Sequence, residues 1–231
     1  GCWYTEGHGE LNITEAMAAS CDVYFYKTVK QLSLRDLNKT FNEFGFGQKT
    51  KIDIPNESVG LVPNSDYMRK RYGKYGWSRG VLLNLAIGQG ELLVTPMQVL
   101  NYINLLATKG KAPNCHFVFV DNLPKNVSPD LEDQIWDNVH KGMRGAIVGE
   151  NGTGKKADIN VKGFDLYGKT GTAENPHGDN HAWFVGWADY NNEKYSIVIL
   201  LENAGSGGAV AAPMAKKVFR KLILNNDFVS R

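Results

Sequence analysis

The sequence predicts an α+β fold in which about three antiparallel strands are flanked by helices. Three observations lead there. Polar cap residues followed by apolar helical spacing recur through the first part of the chain. From Leu166 onward, short β-rich segments alternate with turn formers, and a last helical stretch follows them. The 231 residues are 42% hydrophobic and carry a net charge of +2, an ordinary globular composition able to bury roughly 70% of the surface of the unfolded chain. The helical part is expected over about 1–160, and the strands with the last helix over about 161–231, as one portion of a single domain.

Asn12 and Thr14 are good caps, and Glu15 stands three residues after Asn12 in capping-box spacing, so a short helix is expected from Thr14 to Ala19. Ser20-Cys21-Asp22 interrupts it. Asp22 can cap a second helix reaching roughly Leu32, apolar at Val23, Tyr26 and Val29. Ser33 with Asp36 opens a third, stopping at Gly45. The stretch from Gly47 to Gly80 is rich in turn formers, with basic residues around Tyr67 to Lys74, and reads as a long surface excursion. Thr95-Pro96 places a cap before a proline at the first helical position, and Gly110 closes that helix. Ser128-Pro129 repeats the device ahead of a helix to about Arg144. Strands are expected near Leu166–Thr172, Ala182–Asp189 and Tyr195–Glu202, and a final helix from Ala211 to Leu224.

A near-neutral total charge removes the electrostatic case for nucleic acid as a partner. No apolar run approaches the roughly 18 residues of a membrane span. The three cysteines, Cys2, Cys21 and Cys115, are odd in number and lack CxxC spacing, which argues against a disulfide framework and a zinc ribbon. Gly1-Cys2-Trp3-Tyr4 offers no initiator Met and reads as a cut inside a longer protein.

Two loud motif matches are turned down. Gly149-Glu150-Asn151-Gly152-Thr153-Gly154-Lys155 fits seven places of a phosphate loop, but Lys156 stands where a magnesium-binding hydroxyl is needed, and helix rather than strand precedes it. Gly76-Trp77-Ser78-Arg79-Gly80 fits the nucleophile elbow of α/β hydrolases, with Ser78 as nucleophile. Its upstream residues, Arg69 to Tyr75, are too basic and glycine-broken for a strand buried on both faces. That hydrolase stands as the rival enzyme.

The quieter match is stronger. Lys169-Thr170-Gly171-Thr172 ends a β-rich segment, and Ser20 sits at a helix break. A bare Lys-Thr-Gly arises by chance in roughly one chain in twenty of this length, and the bland reading of Lys169 is a solvated edge-strand lysine. The chemistry that uses both features is acyl transfer from a serine. A cation and hydroxyls on an edge strand bind a substrate carboxylate, a second serine relays protons, and a strand N–H helps hold the oxyanion.

The chain resembles the class B penicillin-binding proteins, the peptidoglycan D,D-transpeptidases, most nearly their rod-elongation type. The resemblance covers nearly all 231 residues. It rests on Gly7-His8-Gly9 leading to Asn12-Ile13-Thr14, on Ser20-Cys21-Asp22 before Tyr24-Phe25-Tyr26, and on Phe44-Gly45-Phe46-Gly47. Ile87-Gly88-Gln89-Gly90 before Thr95-Pro96, Gly152-Thr153-Gly154, Lys169-Thr170-Gly171-Thr172-Ala173 and Ala182-Trp183-Phe184-Val185-Gly186 complete the series. Members carry Ser-x-x-Lys, then Ser-Asp-Asn or a Ser-x-Asp variant, then Lys-Thr-Gly. Here no serine has a lysine three places on, so the acylated serine and its lysine are expected upstream of Gly1. Relatives also carry Asp where this chain has Val81 after the Trp-x-x-Gly element.

The resemblance implies a truncated penicillin-binding, serine β-lactamase-like transpeptidase fold and a role for each residue. Ser20 would shuttle the proton, Asp22 would contact the peptide, and Lys169 would hold Ser20. Thr170 and Thr172 would grip the terminal carboxylate beside Gly171, and the Thr172 N–H would form half of the oxyanion hole. No cofactor is required. Cys2, His8 and Cys21 are a candidate zinc constellation whose bland reading is a buried thiol at a helix break plus a loop histidine; the resemblance implies zinc ligation by residues matching His8 and Cys21, with a fourth ligand from outside the chain. Implied partners are peptidoglycan stem peptides, β-lactam antibiotics and a membrane-embedded glycan polymerase. The implied location is the periplasmic face of the inner membrane, anchored by an upstream helix. The family sheet has five strands, so an apolar edge exposed around Ile197 to Leu201 is expected to pair chains. The piece alone is expected to be inactive. A non-catalytic interaction module that kept the fold is the alternative of another class.

Overall fold

The computed structural model describes residues 2–118, 126 and 128–229, with side chains omitted for Tyr75 and 225–229. Gly1, where the sequence reading set its cut, lies outside the described residues. The chain divides into two compact units, one of residues 1–10 and 21–136, the other of 11–20 and 137–231.

The second unit holds the sheet. Strands β1 (Asp165–Ala173), β2 (His181–Tyr190) and β3 (Glu193–Leu201) form an antiparallel sheet in the order β1-β2-β3. The register sets Lys169 opposite Val185, Thr170 opposite Phe184 and Gly186 opposite Ile197. Strand alternation puts Leu166, Phe184 and Ala188 on one face, where they join Phe164 and Ile147 in a buried cluster. Phe219 and Ile223 of helix α8 (Ala212–Val229) complete that cluster. Tyr167 and Trp187 alternate onto the opposite face and stack with ring centroids 4.7 Å apart. Gly186 is required by close approach, since a Cβ there would lie 2.1 Å from the Tyr167 carbonyl oxygen.

Helix α1 (Ile13–Ala18) belongs to the same unit and carries the expected capping box, Asn12 accepting from the Glu15 N–H while Glu15 accepts from the Asn12 N–H. Helix α8 is preceded by a π-helical turn, Gly207–Ala211, where the sequence placed the first α-helical residue.

The first unit is helical. Helices α2 (Asp22–Val29) and α3 (Leu34–Glu43) come first, and α3 opens at Ser33 as expected, with Ser33 and Asp36 forming a capping box. Asp22 is not the cap of α2 but its first helical residue; Cys21 occupies the cap position without a side-chain bond. An acidic residue in the first turn is still favoured by the positive end of the helix dipole. The helix stops at Val29 rather than near Leu32, because the next N–H groups turn back, Gln31 to Thr28 and Leu32 to Val29.

The segment from Gly47 to Gly80 is more than a surface excursion. It contains α4 (Ser65–Tyr72), capped by the Asn64 side chain at 2.8 Å from the Tyr67 N–H. Met68 is fully buried while Arg69, Lys70 and Arg71 stay in solvent, and that basic run masked the apolar contact. Helix α5 (Gly80–Ala86) was not expected; Val81, Leu82 and Leu85 bury against Val29, Leu34 and Met68. Helix α6 (Pro96–Thr108) has the Thr95 cap and closes at Gly110 as expected. Helix α7 (Asp133–Val148), most of which belongs to the second unit, starts beyond Ser128-Pro129 and outlasts Arg144. The Ser128 hydroxyl donates to the Pro129 carbonyl at 3.3 Å instead of capping. Buried Gln98 ties the unit together, its amide donating to the Gln48 and Val59 carbonyls at 2.8 and 2.9 Å.

Candidate active site

Ser20 follows α1 in the left-handed region at φ 54, with its N–H on the Met17 carbonyl at 3.2 Å. A non-glycine residue there is uncommon and carries strain, which fixes where its hydroxyl points. Lys169 stands on β1, half-buried, and its Nζ donates to Ser20 Oγ at 2.8 Å and to the Thr170 carbonyl at 3.0 Å. The ammonium donates into one lone pair of the serine oxygen, a bond that a hydroxyl can accept while donating its own proton.

Beyond Lys169 the strand continues as Thr170, Gly171 and exposed Thr172. Thr170 Oγ1 lies 2.9 Å from Thr153 Oγ1. Thr172 Oγ1 accepts from the Gly207 N–H at 3.2 Å. A Cβ on Gly207 would fall 2.2 Å from the Gly171 carbonyl and 2.4 Å from that of Trp183, so the π-helical turn rests directly on the strand backbones. Two residues before Lys169, burial raises the Tyr167 phenol, with the Asp189 and Asp165 charges adding to the rise. Arg144 donates to Asp165 at 2.9 Å, which anchors the start of β1 to α7.

Ser20, Lys169, Thr170, Gly171 and Thr172 therefore belong to one unit, and the first two are directly bonded. Asp22 belongs to the other unit, at the start of α2. So do Cys2, His8 and Cys21, whose ligand atoms lie within 4.8 Å of one another. Cys2 Sγ is 3.5 Å from His8 Nδ1, both thiols are free, and His8 Nε2 is buried without a hydrogen-bond partner. Two sulfurs and an imidazole this close form a donor set suited to zinc.

The discounted motifs have unfavourable surroundings. A helix, α7, precedes Gly149, and only a short 3-10 turn, Lys155–Ala157, follows the glycines. The 3-10 turn Gly73–Tyr75 comes just before Gly76, where the hydrolase reading of Ser78 needs a strand. The sequence reading noticed Gly152-Thr153-Gly154 as a motif but gave Thr153 no task, and it missed Gly207 altogether.

A family model described as the penicillin binding protein transpeptidase domain matches residues 1–220. A peptidoglycan D,D-transpeptidase MrdA from Haemophilus influenzae is 32% identical over 94% of the chain. PBP2 from Helicobacter pylori, in a complex with MreC, is 37% identical over 95% of the chain with TM-score 0.82, the match covering 42% of that structure. Pseudomonas aeruginosa PBP2, in complex with WCK 5153, is 34% identical over 94% with TM-score 0.83, covering 48%. The chain spans only 37% of the length of the Haemophilus relative.

Proposed function

Since the chain belongs to the penicillin-binding protein transpeptidase domain family, we propose that it forms the C-terminal part of a domain that cross-links peptidoglycan stem peptides by serine acyl transfer. The observation that carries this reading is the Lys169–Ser20 hydrogen bond of 2.8 Å. It places an ammonium behind a hydroxyl beside a strand of further hydroxyls, the arrangement that proton relay and anion binding both require.

The acylated serine comes from outside these 231 residues, since none of their serines has a lysine three places on. It attacks the penultimate carbonyl of a stem peptide. Ser20 passes a proton to the leaving amine while Lys169 holds the Ser20 oxygen. Thr170 and Thr172 take the terminal carboxylate, and the Thr172 N–H steadies the oxyanion, a contribution on the order of 10²–10³ in rate per donor. The amine of a second stem peptide then takes the acyl group and restores the serine. A β-lactam opens on the same serine, and its carboxylate meets the same threonines.

Cys2, His8 and Cys21 would hold a structural zinc that fixes the start of α2, with a fourth ligand from outside the chain. The protein works at the periplasmic face of the inner membrane, anchored by an upstream helix, beside a membrane-embedded glycan polymerase. Among the described residues no helix is long and apolar enough to cross a membrane.

The test is acylation by fluorescent penicillin. The 231-residue chain alone should gain no covalent mass, and a longer form carrying Ser-x-x-Lys should label at that serine. Labelling of the short chain would refute the assignment of the nucleophile, and an upstream sequence without Ser-x-x-Lys would favour a non-catalytic interaction module.

A further inference from the structure

Thr153 has no part in the reaction so far, yet its hydroxyl is 2.9 Å from that of Thr170. We propose that Thr153 is a positioning residue for carboxylate recognition, backing Thr170 as the Gly207 N–H backs Thr172. The proposal rests on the transpeptidase reading and concerns how its strand hydroxyls come to prefer an anion.

A threonine hydroxyl has one proton and two lone pairs. It attracts a carboxylate only when that proton points at the ligand. Thr172 Oγ1 accepts from the Gly207 N–H at 3.2 Å. Thr170 turns its own proton toward a carboxylate only when Thr153 donates to it. If Thr170 donates to Thr153 instead, an arriving carboxylate meets lone pairs. An anion favours the chain Thr153 to Thr170 to carboxylate, in which each hydrogen bond polarises the next. Without the Thr153 hydroxyl, Thr170 loses both that polarisation and the contact that orients it.

The backing groups are firmly held. The Gly152 N–H donates to the Gly149 carbonyl at 3.0 Å, and the Gly154 N–H to the Ala146 carbonyl at 2.8 Å. A Cβ on Gly152 would lie 2.5 Å from the Ala146 oxygen, and one on Gly154 2.9 Å from Ile147 Cδ1, so the loop closes tightly on the end of α7. A Cβ on Gly208 would lie 3.1 Å from the Thr153 carbonyl oxygen, so the turn that supplies the Gly207 N–H packs against the Thr153 loop. The two glycines serve to set one hydroxyl, which explains the motif without any phosphate.

The experiment is an NMR titration of the chain with N-acetyl-D-alanyl-D-alanine and, separately, with its C-terminal amide. The native chain should prefer the acid. T153V and T153A should each lose about tenfold of that preference, about 1.4 kcal/mol of differential binding, while amide binding stays unchanged. T153S keeps the hydroxyl and should retain the native ratio to within about twofold. The amide spectrum of each variant reports its fold. A native acid-to-amide ratio in well-folded T153V and T153A overturns the proposal. So does an equal loss in T153S, which would assign the effect to side-chain volume. A native chain with no acid preference removes the transpeptidase reading itself, and this proposal with it.

Discussion

Lys169 Nζ and Ser20 Oγ are 149 residues apart in the chain and 2.8 Å apart in space. The lysine comes from the sheet margin, and the serine from a break after α1 that holds it at φ 54. The contact gives the serine a fixed cation behind its oxygen, so the two act as a unit. In a longer form that carries the nucleophile, Ser20→Ala and Lys169→Ala should each slow penicillin acylation by about 10²–10⁴-fold, the usual contribution of a positioned proton-transfer group. The double variant should lose little more than either single one, because residues that act together are not additive. Stopped-flow acylation rates give the comparison, and fully additive losses would mean that the two act separately.

The cluster of Cys2, His8 and Cys21 makes a separate prediction. With both sulfurs and the imbalance of a buried, unpartnered His8 Nε2, the chain should take up one zinc ion in competition with a chromophoric chelator. Cys21→Ser should weaken that uptake by more than the ~10–100-fold that supporting partners alone carry. Affinity should also fall as pH drops, since both thiols must lose their protons to bind. Equal zinc uptake by native and Cys21→Ser chains would exclude this site.

Local signals were the legible ones. The helix starts read at Asn12, Ser33 and Thr95 all form, each from residues close in sequence; the boxes that Asp36 and Gln98 complete at the latter two are added by the structure. Helix α5 escaped because its seven residues have no side-chain cap, and Val81, Leu82 and Leu85 find their partners only in the folded unit. Ser128-Pro129 shows the converse, a sound local signal whose hydroxyl found a nearer carbonyl. In the site, Ser20 and Lys169 could be paired from motif order, though no spacing rule links such distant residues. Thr153 could not be assigned, because a hydroxyl pair depends on a loop closure that sequence alone does not display.

Asp53 supplies a pH-dependent tie. Its carboxylate accepts from the Phe117 and Val118 N–H groups at 2.7 and 2.6 Å. Those two bonds, the Phe117 one first, hold its pKa below the ordinary 3.8. A carboxyl with a lowered folded-state pKa adds stability above its unfolded value, and that share is lost as pH falls through the folded value. Asp53→Ala should therefore be less stable than the native chain at neutral pH, and the gap should close as pH drops below 3.8. Urea unfolding at a series of pH values measures it, and a gap that widens in acid would contradict the assignment.

Strand β3 pairs only with β2 among the described residues, and its far edge presents Ile197-Val198-Ile199-Leu200-Leu201. Ile197, Ile199 and Leu201 are partly buried against the core cluster, so the side chains are partly covered while the outer backbone groups are not paired within the sheet. An apolar strand with an open ladder edge templates another strand, and charged side chains are the usual protection. The only charges on β3 are Glu193 and Lys194, at its beginning. Isolated chains should therefore associate as concentration rises, with a weight-average mass in sedimentation above 25.6 kDa. Val198→Lys puts a cation in mid-strand and should return the mass to the monomer value. A native chain that stays monomeric at high concentration would show that this edge is protected in some other way.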